Sequence, residues 1–127
     1  MPHDRAEVLL HKVAQDELAL RKLIHDDDIE DDLLGFHAQQ AVEKTLKALL
    51  AARGVDYPKT HNIRVLVELA AADGIHLPAG LADIDRLTHF GTTFRYDTTL
   101  SAEASERATW LDWVETLRRF VESSIGR

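Results

Sequence analysis

The chain has 127 residues, no cysteine and a net charge of −7, from 15 basic and 22 acidic side chains. The length suits one domain over residues 1–127 with room for a buried core, and the lack of cysteine excludes disulfides, thiolate zinc sites and cysteine nucleophiles. A uniformly acidic protein repels nucleic acid and anionic membranes, so any such contact needs a local basic patch.

No apolar run reaches the length of a membrane span. Met1-Pro2-His3-Asp4-Arg5 places polar and charged residues where a secretory leader carries an apolar stretch. The expected location is cytoplasmic, with no membrane partner.

Apolar spacing is helical almost throughout, with no alternating stretch that reads as a strand. A first helix is predicted over residues 5–24, with Asp4 as N-cap and Leu9, Val13, Leu20, Leu23 and Ile24 on its core side. An acidic link, Asp26-Asp27-Asp28-Ile29-Glu30-Asp31-Asp32, follows; it reads as a solvated capping loop, and its spacing matches no metal loop. The second helix is expected over residues 31–53, with Gly54 as its stop. Its apolar positions, Leu34, Ala38, Ala41, Val42, Thr45, Leu46, Ala48 and Leu49, cover more than a third of the circumference, which marks a central helix. His37, Gln40, Glu43, Lys44 and Lys47 form the opposite, polar arc, and Phe36 stands out on it. Gln39, at the edge of the apolar arc, is expected to hydrogen-bond to a neighbouring helix.

Pro58 keeps the next segment a loop, and Thr60 is the expected cap of a third helix over residues 61–72, ended by Asp73-Gly74. A fourth helix is predicted over residues 79–96, begun by Pro78, with Leu81, Ile84, Leu87, Gly91 and Phe94 on one face. Gly91 on that face suggests close approach of another helix. Ser101 and Ala104 bracket the cap of a fifth helix reaching residue 124, with Trp110, Trp113, Val114, Leu117, Phe120 and Val121 as its stripe. Five amphipathic helices with short connections predict an all-α fold, a five-helix antiparallel (up-and-down) bundle.

The charge balance reverses between Lys44 and Arg64. There Lys44, Lys47, Arg53, Lys59 and Arg64 oppose only Asp56, a local charge of +4. This is the stretch suited to a phosphate. Lys44 and Lys47 are expected on an exposed helix face, where Glu43 can pair with Lys47 at i,i+4. His61, at a helix start, either pins the loop or faces a ligand. Arg95 is placed beside Ile84, Thr88 and Gly91, on the flank of an apolar face, so it needs either a carboxylate or an anionic ligand. No Gly-rich phosphate loop and no His-x-x-x-His pair occurs, and no metal or cofactor is expected.

The segment Phe36-His37-Ala38-Gln39-Gln40-Ala41-Val42-Glu43-Lys44-Thr45-Leu46-Lys47-Ala48-Leu49-Leu50 resembles the signature second helix of HEPN domains. His61-Asn62-Ile63 through Leu66 resembles the family's histidine-led third helix, and Phe94-Arg95-Tyr96 its Arg-Tyr motif closing the fourth. The resemblance implies an α-bundle that is commonly a homodimer. Many such domains are encoded beside a minimal nucleotidyltransferase and are proposed to bind nucleotides or to form toxin–antitoxin modules. The candidate ligand-binding residues are therefore Lys44, Lys47, His61, Arg95 and Tyr96, and the resemblance favours a ligand cleft for Arg95 of the Arg-Tyr motif.

The ribonucleases of the family carry an Arg followed four to six residues later by His, late in the bundle. No His follows Arg95 at that distance; Arg86 and His89 are too close; Arg5 and His11 lie in the first helix, about 120° apart around it. The expectation is a non-catalytic homodimer that binds a nucleotide and pairs with a minimal nucleotidyltransferase. The alternative is a metal-independent ribonuclease toxin with a degenerate site and RNA as its substrate.

Overall fold

Two helices, α1 (Pro2–Leu23) and α2 (Asp31–Ala52), pack along each other and form the largest interface in the molecule. They belong to a computed structural model that describes the backbone of residues 2–93 and 104–126 and the side chains of residues 4–90 and 106–126. All described regular segments are helical: after α2 come α3 (Ile63–Ala72), two 3₁₀ turns (Ala79–Leu81 and Ile84–Leu87), α4 (Thr88–Thr93) and α5 (Ala104–Ser124). Arg95, Tyr96, the Ser101 cap and the surroundings of Gly91 lie outside the described residues.

The wide apolar arc of α2 is realised as the centre of the bundle. Leu34, Ala38, Ala41, Val42, Thr45, Leu46, Ala48 and Leu49 are all buried, and α2 touches each of the other four helices. Full burial of a leucine contributes about 1.5–3 kcal/mol, so this one arc supplies much of the core. On α1, Val13 and Leu20 are buried as expected, as is Ile24 just past its end; Leu9 and Leu23 are only partly covered, and Ala6, Leu10 and Glu17 are buried instead. Trp110, Trp113, Val114, Leu117 and Val121 of α5 are buried within the single chain.

α2 stops where Gly54 takes φ +71°, the left-handed conformation that glycine adopts without steric cost. The Val55 amide then donates to the Leu50 carbonyl (2.9 Å) and the Gly54 amide to Ala51 (3.1 Å), which closes the last turn. Asp73-Gly74 repeats the device at the end of α3. The start of α3 differs from expectation. Its N-cap is Asn62, whose side-chain oxygen accepts from the Arg64 amide (2.9 Å); Thr60 instead accepts from the Asn62 amide (3.0 Å) and shapes the loop before the cap.

The expected single fourth helix over 79–96 is absent from its described part. Leu81, Ile84 and Leu87, all buried, are spaced by three, and a three-residue period suits 3₁₀ turns, whose side chains at i and i+3 eclipse. Regular α-structure begins only at Thr88. The close helix approach lies at Gly35 of α2, where a Cβ would stand 2.5 Å from the Phe90 ring. Phe90 packs edge-on against Trp110, centroids 5.0 Å apart, so Gly35 admits an aromatic stack that no larger residue would. No described helix is long and apolar enough to cross a membrane.

Candidate functional site

No residue of α2 is fully exposed. Its polar arc, expected to face solvent, is covered by α1 on one side and by the loop after α2 on the other. Charges on a covered arc must be paired, because an unmatched charge is costly to bury.

The covered arc centres on Glu43, which is 4% exposed. Its Oε2 accepts from Lys47 Nζ (2.8 Å); its Oε1 accepts from Gln39 Nε2 (2.9 Å) and from His61 Nδ1 (2.9 Å). Gln39 Nε2 also donates to the His61 carbonyl (3.1 Å), so both the ring and the backbone of His61 are tied to α2. Gln39 therefore reaches its own helix and the α2–α3 loop, where a neighbouring helix was expected. Burial pushes the Glu43 carboxyl up, but the hydrogen bonds from Lys47, His61 and Gln39 and the charge of Lys47 together hold it below its ordinary value. The His61 side chain is 63% exposed while the Lys47 side chain is only 15% exposed.

A second carboxylate cluster lies between α1 and α2. Asp16 Oδ2 accepts from Lys44 Nζ (2.9 Å) and Oδ1 from His37 Nδ1 (3.2 Å). Burial raises the Asp16 carboxyl; the His37 and Lys44 contacts outweigh it and leave it lowered.

The exposed positions expected for Lys44 and Lys47 are thus overturned: both are partly buried and ion-paired. The +4 stretch is also no free patch. Asp16, Glu43, Asp73 and Asp85 come to Lys44, Lys47, Arg53 and Arg64 respectively, three of them from elsewhere in the chain.

The structure brings Lys47 and His61 together on Glu43 and sets Lys44 apart on Asp16. It adds Arg5, from the far end of the sequence: the guanidinium lies over the Tyr57 ring (5.4 Å), as does Lys47 Nζ (5.9 Å). The Glu43–Lys47 pair was legible as an i,i+4 spacing and is present; the contact of Glu43 with His61, and the parts played by Asp16, Arg5 and Tyr57, carried no sequence signal beyond ordinary polarity, since each rests on a long-range contact. Arg95 and Tyr96 lie outside the described residues.

Two more polar clusters are structural. Glu17, buried on α1, accepts from Arg118 (2.7 Å) and Arg21 (2.9 Å) and ties α1 to α5. Arg107 of α5 donates to the carbonyls of Ile24 (3.3 Å), Asp26 (3.2 Å) and Ile29 (2.6 Å) and pairs with Asp31, so the acidic link is ordered by an arginine. Among the described residues no group of three or more His, Asp or Glu side chains could hold a metal. A separate cleft of about 280 Å³ lies between α3 and the 3₁₀ turns, floored by Val67, Leu77, Leu81 and Ile84 with the Arg64–Asp85 pair lining it.

A carboxylate only accepts, so the proton of neutral His61 sits on Nδ1, which leaves Nε2 as the other ring nitrogen of a largely exposed side chain. Neutral His61 offers a hydrogen-bond acceptor there; protonated, it offers a charged donor. The arrangement can bind an oxygen-bearing ligand at the exposed ring edge of His61.

The family model described as HEPN domain matches residues 7–124, nearly the whole chain. No curated protein and no solved structure matches the chain.

Proposed function

The chain belongs to the HEPN domain family, and from that membership, which carries a nucleotide- or RNA-related role, we propose that it is a non-catalytic nucleotide-binding subunit. It acts as a homodimer and pairs with a separately encoded minimal nucleotidyltransferase, in a module of the toxin–antitoxin kind. It works in the cytoplasm. The ligand is an anion, engaged at the end of α2 by Lys47 and His61 with Arg5 nearby. Arg95 and Tyr96 enter this reading from the sequence alone, and Lys44 contributes through the adjoining Asp16 cluster.

The observation that supports it is the convergence of Lys47 and His61 on one buried carboxylate. The partially covered lysine and the exposed, clamped histidine together form a preorganised polar edge in an otherwise acidic protein. Calorimetric titration of ATP into the wild type and into His61→Ala and Arg95→Ala tests it. Binding that weakens at least tenfold in either variant, with the melting temperature retained, supports the reading. Absence of nucleotide binding overturns it. Cleavage of RNA by the purified chain without divalent metal would instead favour the ribonuclease alternative.

A further inference from the structure

α2 carries two clusters of the same composition, a carboxylate with a lysine and a histidine: Glu43 with Lys47 and His61, and Asp16 with Lys44 and His37. They differ in exposure. The His37 side chain is 26% exposed and that of His61 is 63% exposed. In both, the lysine already balances the carboxylate charge, so neither histidine has to be protonated for the cluster to be neutral. A proton added to His61 therefore gives the cluster a net positive charge and turns Nε2 from acceptor to donor, on the side away from Glu43. Glu43 and Gln39 hold the ring and its backbone in place, so this donor is fixed in direction before any ligand arrives.

The surrounding charges leave this switch to His61. Lys47 comes from α2 and is held by Glu43; Arg64 of α3 is held by Asp85 of the second 3₁₀ turn (3.0 Å); Arg5 of α1 lies over Tyr57. On the loop that carries His61, Lys59 and Asp56 are both exposed and of opposite sign.

Building on the nucleotide-binding reading, we propose that His61, positioned by Glu43 and Gln39, is a proton-linked oxyanion contact, whose Nε2–H engages a phosphate-like oxygen only as imidazolium, so that binding the anion takes up one proton. An oxyanion has no proton to give to neutral Nε2, whereas imidazolium supplies a charge-assisted bond. By linkage, affinity for the anion falls about tenfold for each pH unit above the titration midpoint of His61. Conversely, anion at ten times its Kd raises that midpoint by about one pH unit.

The test is a histidine NMR titration from pH 5 to 9 with sulfate, which stays dianionic throughout, at constant ionic strength balanced by chloride. The expected result is an upward shift of the His61 midpoint with sulfate, while His37, His76 and His89 stay within 0.1–0.2 pH unit, roughly the scatter that weak surface electrostatics allow. In Glu43→Gln, which keeps an acceptor for Nδ1, the shift shrinks; His61→Asn, a change at an exposed position, keeps the fold and loses sulfate binding at pH 6. An unmoved His61, an equal shift of all the histidines, or a response at His37 instead overturns the proposal. ATP, measured in parallel, separates it from the reading on which it rests. ATP binding that is independent of pH above 7.5 leaves the nucleotide role standing and removes the proton linkage. Coupling to sulfate without ATP binding keeps the linkage and removes the nucleotide.

Discussion

At the scale of single residues, Glu43 and Asp16 govern what the neighbouring cations can do. Each is a covered carboxylate satisfied by a lysine and a histidine. On an exposed face, removing Lys44 and Lys47 would leave stability almost unchanged. With both lysines in covered pairs, Lys44→Ala with Lys47→Ala is expected to destabilise the protein by about 2–3 kcal/mol, on the order of 10 °C, because the carboxylates lose a charged partner. Thermal unfolding checks this, and a change under 2 °C would mean that the pairs are solvated. The same coupling means that a loss of anion binding in this double variant has to be read beside its stability.

At the scale of elements, two local rules decide helix α3 and the packing of α4 on α2. Capping of α3 rests on Asn62 and not on Thr60. Asn62→Ala is expected to cost about 1 kcal/mol, and Thr60→Ala less than half of that, read from urea midpoints at constant slope. Gly35 is the point where α2 receives Phe90. Alanine is worth about 1 kcal/mol over glycine inside a helix, yet its methyl group would stand 2.5 Å from the body of a ring already packed on Trp110. Overpacking costs about 1–3 kcal/mol, so Gly35→Ala is expected to lower the melting temperature by several degrees despite the better helix propensity. A stabilised variant would show that Phe90 moves aside freely.

At the scale of the whole molecule, acid stability follows from the lowered carboxyls. Glu43 and Asp16 have folded values below their ordinary 4.5 and 3.8. A carboxyl depressed on folding stabilises the protein above its unfolded value, and that stability is lost as pH falls through the folded one. Unfolding free energy should therefore decline as pH drops below about 4.5. In Glu43→Gln that decline should be shallower, which urea melts at pH 3 to 6 would show. The homodimer is expected to scatter light with twice the 14.3 kDa chain mass at tens of micromolar. Trp110 and Trp113 are buried in one chain and offer no surface to a second copy; among the described residues the exposed large apolar side chains are Val8 and Leu18 on α1.

Helical class, the central place of α2 and the glycine stops at Gly54 and Gly74 were legible in the sequence alone, because each depends on periodicity or on backbone conformation within a few residues. Family membership was legible for a related reason: the second-helix signature is contiguous. The break of the fourth helix into 3₁₀ turns was written in the spacing of Leu81, Ile84 and Leu87, but a period of three is easily absorbed into one of 3.6. Beyond the i,i+4 pair of Glu43 with Lys47, the electrostatics were not legible. A count along the chain makes residues 44–64 a basic patch, whereas folding brings Asp16, Asp73 and Asp85 against it from other segments and folds Glu43 under His61. Charge neutralisation acts across space at a few ångströms, so only the tertiary structure could decide which cations are paired and that His61, clamped yet exposed, is left facing outward.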